Sequence, residues 1–344
     1  MQRGELVRIG IAAALVLGAG LAHYLDAEPV LTFLLAAAAI AMLAQLVGSA
    51  TDQLGGRVGS SAAGVVQSAL GNLPELFIAL FALHDGLVRV VQSALVGSVI
   101  ANAVLVLGVA FLAGGIRNGP QRFDYSRARI IATLTVLAAV ILSMPTLTHT
   151  FHTPAASHER TLSFICAGVL IVLFFVTLPT FLAGDDALGE APRWSLRTTI
   201  VVLAGAATAA AVTSDWFVTA LTPATEALGM SQDFAGLVVV AIAGNAVENV
   251  VAVQLAWKGQ NDLAISVVKN SVAQIACFLW PVLVILSLFF AERLTFVVEP
   301  VYLGALALTA IALWQVTGDG KAVLFEGMAL VSLYVVLATL VWFE

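Results

Sequence analysis

The chain has 344 residues, of which 60% are hydrophobic and only 10% are charged, and its formal net charge is −6. A soluble domain carries about 25% charged residues, so this composition, with a mean hydropathy of +1.02, excludes a soluble fold. The sequence also contains no basic stripe of the kind that binds nucleic acid.

The apolar segments predict, in chain order, eleven membrane-spanning helices, because a helix needs roughly 20 mainly apolar residues to cross a bilayer. The first segment follows Arg3 and is similar to a signal peptide, but no small-residue cleavage site follows it, so we expect a retained span. Cys166 and Cys277 lie in apolar segments and are expected to be small core residues rather than a disulfide pair or metal ligands. The predicted spans are residues 6–24, 30–50, 60–83, 88–113, 128–147, 161–183, 197–217, 233–256, 263–290, 297–316 and 322–342.

The basic residues predict how these spans are oriented, since cytoplasmic loops carry an excess of lysine and arginine. With the N-terminus inside, eleven basic residues fall in inside segments and three in outside segments, and Lys269 is left within a span. We therefore expect a cytoplasmic N-terminus and an outside C-terminus, in a prokaryotic inner (plasma) membrane.

Two of the predicted spans contain a similar polar motif. The sequence Gly-Asn-Leu-Pro-Glu at residues 71–75 lies in the third span, and Gly-Asn-Ala-Val-Glu at residues 244–248 lies in the eighth. Each motif glycine is followed 27 residues later by a serine, Ser98 or Ser271. Because the third span runs from inside to outside and the eighth from outside to inside, the two copies are inverted.

This arrangement predicts an all-α polytopic membrane protein with one extra N-terminal helix and two inverted five-helix repeats, as in many secondary transporters. The predicted boundaries are 1–28 for the extra helix, 29–183 for the first repeat, 184–196 for a cytoplasmic linker and 197–344 for the second repeat. We expect the acidic linker to be a solvated connection, and a regulatory role is the alternative.

The motif glutamates, Glu75 and Glu248, are candidates for a cation site, because a carboxylate at membrane depth is a functional candidate by default. Asn72 and Asn245 each lie three residues before a glutamate and share its helix face. The motif glycines, and Pro74 in the first copy, weaken the helix and free backbone carbonyls. Carboxylate, amide and carbonyl oxygens are the ligands that Ca²⁺ prefers, so these two glutamates and two asparagines are the predicted metal ligands.

The paired carboxylates also suggest how transport is coupled. A buried carboxylate is expected to take up a proton when no cation is bound, and to be ionised when a divalent cation is bound. Cation and protons would then exclude each other, which is what antiport requires. The alternative is that the two glutamates only pair with polar neighbours and hold helices together.

Four polar residues downstream of the motifs are predicted to line the cation and proton pathway: Ser98, Asn102, Ser271 and Gln274. Hydrogen bonding between packed helices is the alternative, since these side chains commonly join membrane helices. The two interpretations are compatible.

At these residues the chain resembles the cation/proton exchanger branch of the calcium/cation antiporter superfamily. In that branch each repeat carries Gly-Asn-x-x-Glu, followed by Gly-Ser-x-x-Ser-Asn in the first repeat and Gly-Ser-Ser-x-Gln in the second. The resemblance covers most of the chain and implies exchange of Ca²⁺ for H⁺, with no cofactor. It places the site on Asn72, Glu75, Ser98, Asn102, Asn245, Glu248, Ser271 and Gln274.

The chain departs from the family pattern at several positions. Asn249 stands where histidine is common after the second glutamate, and it is a further pathway candidate. Ala101 stands where serine is usual, and Asn270 and Val272 replace a glycine and a serine of the second downstream element.

Lys269 is a cation close to the predicted cation site and is therefore a candidate for setting ion selectivity. We expect its side chain to snorkel to the cytoplasmic surface. Alternatively, the ammonium points inward, neutralises one carboxylate and favours a monovalent cation. The protein would then be a sodium or potassium/proton antiporter of the same fold.

Two other classes of protein fit the sequence less well. An ion channel is disfavoured because inverted repeats with two buried acids favour alternating access, and no filter-like loop is present in the sequence. An intramembrane enzyme is disfavoured because the sequence has no nucleophile or metal motif. The expected partners are membrane lipid and the transported cations, and we expect a monomer or a weak homo-oligomer.

Overall fold

A computed structural model describes residues 3–57, 69–182 and 193–343, and these residues are almost entirely helical. The elements, in chain order, are α1 (Arg3–Tyr24), α2 (Pro29–Gly55), α3 (Leu73–His84), α4 (Val88–Asn118), β1 (Gln121–Arg122), α5 (Tyr125–Thr150), α6 (Glu159–Leu182), α7 (Leu196–Leu228), α8 (Gln232–Gly244), α9 (Ala246–Trp257), α10 (Asn261–Phe289), α11 (Pro300–Val316), β2 (Lys321–Ala322) and α12 (Leu324–Trp342).

Eight helices in the described parts of the chain are long and apolar enough to cross a membrane. Helices α8 and α9 meet the same criterion as a pair bent by 60°, and α3 and α11 are shorter apolar helices. Every predicted span overlaps one of these elements, so the prediction of an all-α polytopic membrane protein is confirmed.

The two short strands were not predicted from the sequence. β1 and β2 pair antiparallel, with Gln121 opposite Ala322 and Arg122 opposite Lys321. They join the connection between α4 and α5 to the connection between α11 and α12.

Helix boundaries follow from local capping. The side chain of Glu28 accepts a hydrogen bond from the backbone N of Leu31, 3.0 Å away, at the start of α2, and Pro29 occupies its first turn. Ser195 caps α7 in the same way, accepting from the backbone N of Thr198 at 3.1 Å. Gly229 ends α7 in a left-handed conformation, with φ 64°, which glycine adopts without steric penalty.

Helix α4 is central and α1 is peripheral. In the 18-residue apolar segment of α4, 83% of the residues are buried inside the protein, against 22% in that of α1. Glycines allow the backbone of α4 to approach its neighbours: a Cβ atom at Gly97 would overlap the backbone of Leu237 in α8, and one at Gly108 would lie 2.9 Å from Cβ of Leu330 in α12. Small residues permit this close packing in membrane helices.

The predicted linker 184–196 is described only at its end, because residues 183–192 lie outside the described parts of the chain. Trp194, at that end, is buried against α1 and α2 rather than solvated. Its indole Nε1 donates to Oε1 of Glu5 at 2.8 Å, its backbone N donates to Oε1 of Gln53 at 3.0 Å, and its carbonyl accepts from Arg57.

The two cysteines are both buried and free. The prediction that they are small core residues is therefore confirmed.

Candidate cation site

Both polar motifs interrupt their helices in the same way. Asn72 precedes α3 with φ −97° and ψ 18°, and Asn245 lies between α8 and α9 with φ −99° and ψ 22°. These angles are not helical, so each motif ends one helical segment and starts another. The prediction of a broken helix at each motif is confirmed.

The motif glutamates lie in the first turn of the helices that follow the breaks. Glu75 is in the first turn of α3 and Glu248 is in the first turn of α9. The first turn of a helix carries partial positive charge and unpaired backbone N–H groups, which stabilise a negative side chain. The break therefore places each carboxylate where a helix end offsets part of its charge.

Glu75 is enclosed between the two motifs. Its side chain is 4% exposed, and Oε1 accepts a hydrogen bond from the hydroxyl of Ser98 on α4. Its other oxygen, Oε2, is buried and has no hydrogen-bond partner within the described parts of the chain. A Cβ atom at Gly244 would lie 3.6 Å from Cβ and Cγ of Glu75, so the second motif packs directly on this side chain.

The asparagine of each motif contacts the downstream element of the other half. Nδ2 of Asn245 donates to Oγ of Ser98 at 3.0 Å, and its Oδ1 accepts from Nδ2 of Asn102 at 2.8 Å. Nδ2 of Asn72 lies 3.4 Å from Oε1 of Gln274 and donates to it. Residues that are distant in sequence thus meet in reciprocal pairs across the two halves.

Glu248 has a different environment from Glu75. It is half-buried, and its carboxylate is close enough to Glu75 for the two charges to interact. It also lies within electrostatic reach of Asp52, near the end of α2. Gly48, one turn before Asp52, faces Val247: its Cβ would lie 3.5 Å from Cγ1 of that residue.

Asp52 was missed by the sequence analysis. It directly follows the predicted second span, residues 30–50, and was not among the candidate residues. The available signal was its position four residues after Gly48, on the same face of an apolar helix.

Several buried oxygens around the motifs lack a hydrogen-bond partner in the part of the chain that the structure describes. They lie on the helices that carry the motifs and their downstream elements: Glu75 Oε2, Asn102 Oδ1, Asn249 Oδ1, Asn270 Oδ1 and Ser271 Oγ. Leaving such an atom unpaired costs about 1–3 kcal/mol, and a cation with oxygen ligands would remove that cost. Among the described residues, no group of three or more histidine, cysteine or acidic side chains is placed to hold a metal.

The expectation that Lys269 snorkels to the cytoplasmic surface is wrong. The side chain is fully buried, and Nζ donates to Oγ1 of Thr317 at 2.7 Å. Thr317 in turn donates to the carbonyl of Leu313 at 2.6 Å, at the C-terminal end of α11. The partial negative charge of that helix end stabilises the ammonium inside the protein.

Lys269 lies on a different face of α10 from the residues that contact the first motif. Ser271 and Gln274 lie three residues apart and share a face of α10, and Gln274 contacts Asn72 of the first motif. Lys269 is two residues before Ser271, which is more than half a turn around the helix. The structure therefore brings Ser98, Asn102 and Gln274 into contact with the motifs, and it places a hydrogen bond of Lys269 at the end of α11.

The fold is that of a polytopic membrane protein, and its relatives define the class as transporters rather than enzymes. The chain belongs to the sodium/calcium exchanger protein family, whose model matches residues 28–183 and 198–343. The resemblance to the cation/proton exchanger branch is confirmed by relatives along nearly the whole chain.

Curated relatives include the Ca(2+)/H(+) antiporter of Aphanothece halophytica, which is 32% identical and aligns over 94% of this chain and 93% of its own. The Ca(2+)/H(+) antiporter ChaA of Bacillus subtilis is 31% identical over 87% of this chain and 88% of its own. The structure of native YfkE is similar with a TM-score of 0.86 and 28% identity, over 98% of this chain and 100% of that one. The H+/Ca2+ exchanger CAX has the same fold, with a TM-score of 0.79 and 16% identity over 98% of this chain and 91% of its own.

Proposed function

We propose that this protein is a secondary active antiporter that exchanges Ca²⁺ for H⁺ by alternating access, with Glu75 and Glu248 binding either the cation or protons. The observation that carries this proposal is the unpartnered Oε2 of Glu75, buried against the second motif. The names of the relatives, which are Ca(2+)/H(+) antiporters, support the choice of ions.

The arrangement around Glu75 explains why cation and proton exclude each other. The hydroxyl of Ser98 already occupies Oε1, so Oε2 is the atom left to bind an incoming charge. A proton on Oε2 converts that atom into a donor and removes the negative charge that a cation needs. A bound Ca²⁺ occupies the same atom and keeps out the proton.

The remaining ligands come from the surrounding oxygens. Ca²⁺ takes 6–8 oxygen ligands, and the two glutamates with the amide oxygens of Asn72 and Asn245 form the core of the proposed set. Oδ1 of Asn245 accepts one hydrogen bond from Asn102, and an amide oxygen has a second lone pair with which to bind the cation. Ser98, Asn102, Asn249, Ser271 and Gln274 line the proposed pathway, and the unpaired oxygens of Asn102, Asn249 and Ser271 support this role.

The proposed architecture has eleven spans, an extra N-terminal helix (1–28) and two inverted repeats (29–183 and 197–344) joined by the linker 184–196. The matching backbone angles at Asn72 and Asn245 support equivalent repeats. The family model supports them too, since it matches the chain in two blocks separated by residues 184–197. The proposed orientation has the N-terminus in the cytoplasm of a prokaryotic cell and the C-terminus outside, and the excess of basic residues in the inside segments supports it.

A sodium or potassium/proton antiporter of the same fold is the second candidate. It was suggested by the charge of Lys269, which would offset one carboxylate. The hydrogen bond between Lys269 and Thr317 removes part of that argument, because the ammonium is directed toward the end of α11. The observed geometry therefore favours the divalent cation.

The test is Ca²⁺ uptake into proteoliposomes with an acidic interior, for the wild type, Glu75→Gln and Glu248→Gln. Uptake should follow the pH gradient in the wild type and be lost in both variants. Glu292→Gln is the matched control, because Glu292 is exposed and lies outside the motifs, and it should transport normally. Uptake retained in both site variants would refute the site, whereas wild-type uptake of Na⁺ or K⁺ without Ca²⁺ would refute the substrate.

A further inference from the structure

One arginine joins the two halves of the chain at a distance from the motifs. Arg89 is the second residue of α4, in the first half. Its Nη2 lies 2.8 Å from Oδ2 of Asp233 in α8 and 3.2 Å from Oε1 of Glu299, the residue directly before α11. Both carboxylates belong to the second half, so a single guanidinium holds two helices of that half against α4.

The next residues on the same face of α4 make further contacts with the second half. Nε2 of Gln92 donates to the carbonyls of Thr295 at 3.2 Å and Val297 at 2.7 Å. Ser93 touches Gly236 of α8, where a Cβ atom would overlap its hydroxyl. Positions 89, 92 and 93 lie three and four residues apart, so they form one continuous strip along the helix.

The site lies further along α4, on the opposite face of the helix from Arg89. Ser98, which binds Glu75, is nine residues after Arg89, or about 13.5 Å along α4 at 1.5 Å per residue. Between them the backbones of α4 and α8 touch at Gly97 and Leu237. The strip borders a cavity of about 220 Å³, which is lined by Arg89, Gln92, His149, Asp233, Glu299 and Tyr302, among others.

We infer that Arg89 is a positioning residue for exchange. Its bonds to Asp233 and Glu299 hold the site closed on the side of the membrane where α4 begins, and they break when that side opens. The inference rests on the proposed alternating access. Its physical basis is that Ser98 and the second motif lie on α4 and α8, so an ion can reach Glu75 between them only if these helices separate. The bonds of Arg89 span that line of separation.

The size of the effect follows from exposure. The side chain of Arg89 is 65% exposed and that of Glu299 is 50% exposed, whereas that of Asp233 is only 12% exposed. Exposed ion pairs are weak and screened by salt, so we expect a change of about two- to fivefold in the opening equilibrium rather than loss of function.

The test uses a single thiol placed in the strip itself, at Ser93, which faces α8. Cys166 and Cys277 are replaced by alanine and Ser93 by cysteine, and the rate of labelling by a membrane-impermeant thiol reagent is measured in intact proteoliposomes. Arg89→Gln should increase this rate about two- to fivefold. Arg160→Gln, which changes an exposed arginine at the start of α6 on the same side of the membrane, is the matched control and should not change it.

Two further measurements make the result independent of any one variant. Raising the ionic strength to about 1 M, where the Debye length is about 3 Å, should speed labelling when Arg89 is present and have no effect in Arg89→Gln. The exchanged pair Arg89→Asp with Asp233→Arg should restore slow labelling. Equal labelling with and without Arg89, and no response to salt, would overturn the inference.

This assay does not require Ca²⁺ transport, so the two proposals can fail separately. Faster labelling in Arg89→Gln together with no Ca²⁺/H⁺ exchange by the wild type would keep the role of Arg89 and overturn the proposed ions. Normal Ca²⁺/H⁺ exchange by the wild type, with unchanged labelling in Arg89→Gln, would keep the proposed ions and overturn the role of Arg89.

Discussion

The two motif glutamates have the same local backbone but different surroundings. The asparagines that precede them have nearly identical φ and ψ angles. Glu75 is nonetheless 4% exposed and bound by Ser98, whereas Glu248 is half-buried and faces the charge of Asp52. The local sequence therefore determines the broken helix, and the neighbouring helices determine what each carboxylate experiences.

This difference has a clear structural source. On the side of Glu75, the backbones of α4 and α8 are in contact at Gly97 and Gly236. Ser98 lies between the two motifs and hydrogen-bonds to Glu75 and Asn245. The equivalent serine of the other half, Ser271, is buried but its Oγ has no hydrogen-bond partner in the described structure. Unlike environments for the two repeats are compatible with the proposed alternating access, in which one repeat moves against the other around a shared site.

The largest expected effect comes from breaking the packing that encloses Glu75. In Gly97→Ala the new Cβ would overlap the backbone of Leu237, which cannot move aside as a flexible side chain would. Overpacking of this kind typically costs 1–3 kcal/mol, and we expect about 3 kcal/mol or more here. Thermal unfolding in detergent should show a large fall in Tm or failure to fold.

The matched control for that substitution is Gly205→Ala in α7, where no atom lies within 4 Å of the new Cβ. Alanine is about 1 kcal/mol better than glycine within a helix, so Tm should stay the same or rise. Equal destabilisation by the two variants would show that the close contact between α4 and α8 is not the cause of the loss of stability.

The second prediction compares the two equivalent serines. Ser98→Ala removes a donor to Glu75 and an acceptor for Asn245, and leaves buried groups unpaired, so we expect a loss of about 1–3 kcal/mol. Ser271→Ala removes a hydroxyl oxygen that has no partner in the described structure and should change stability by less than about 0.5 kcal/mol. Unfolding of both variants under one condition tests this, and a reversed order would contradict the assigned asymmetry.

A smaller effect is expected at the more open glutamate. Asp52→Asn removes a negative charge that lies within reach of Glu248, so the local attraction for cations falls. Charges of this kind act mainly on the encounter with a cation, so KM for Ca²⁺ should rise about two- to fivefold with little change in maximal rate. Asp319→Asn, in the exposed turn before β2, is the control, and an equal change in KM there would make the effect nonspecific.

The features of the site that could be predicted from the sequence are those with a local cause. A polar interruption of an apolar span is visible in the sequence, and so is the spacing of 27 residues between each motif glycine and its serine. These two signals were sufficient to predict the broken helices and to select Ser98, which contacts Glu75.

The features that were missed depend on which helices become neighbours. Asp52 could not be connected with Glu248, because the contact of α2 with the second motif joins residues about 200 positions apart in the sequence. The ammonium of Lys269 is bound by Thr317, which is 48 residues away in the sequence. Thr317 lies at the end of α11, and the packing of that helix sets its position. The pairing of β1 with β2 joins two connections whose sequences give no strand signal.

The smallest expected effect tests whether Lys269 influences the ions at all. In Lys269→Met the charge is lost but the volume is nearly kept, and replacing a buried ion by an apolar group is often neutral or stabilising. Because the ammonium is bound to Thr317 on the far side of α10 from Gln274, the ratio of Ca²⁺ to Na⁺ transport should stay within about twofold of the wild type. Initial rates under one pH gradient measure this ratio, with the exposed Lys258→Met as the control. The contrary result is a shift of about tenfold toward Ca²⁺ in Lys269→Met alone, which is equivalent to about 1.4 kcal/mol. It would mean that the buried charge acts on both glutamates despite its hydrogen bond to Thr317. The difference between Glu75 and Glu248 would then need an electrostatic as well as a packing explanation.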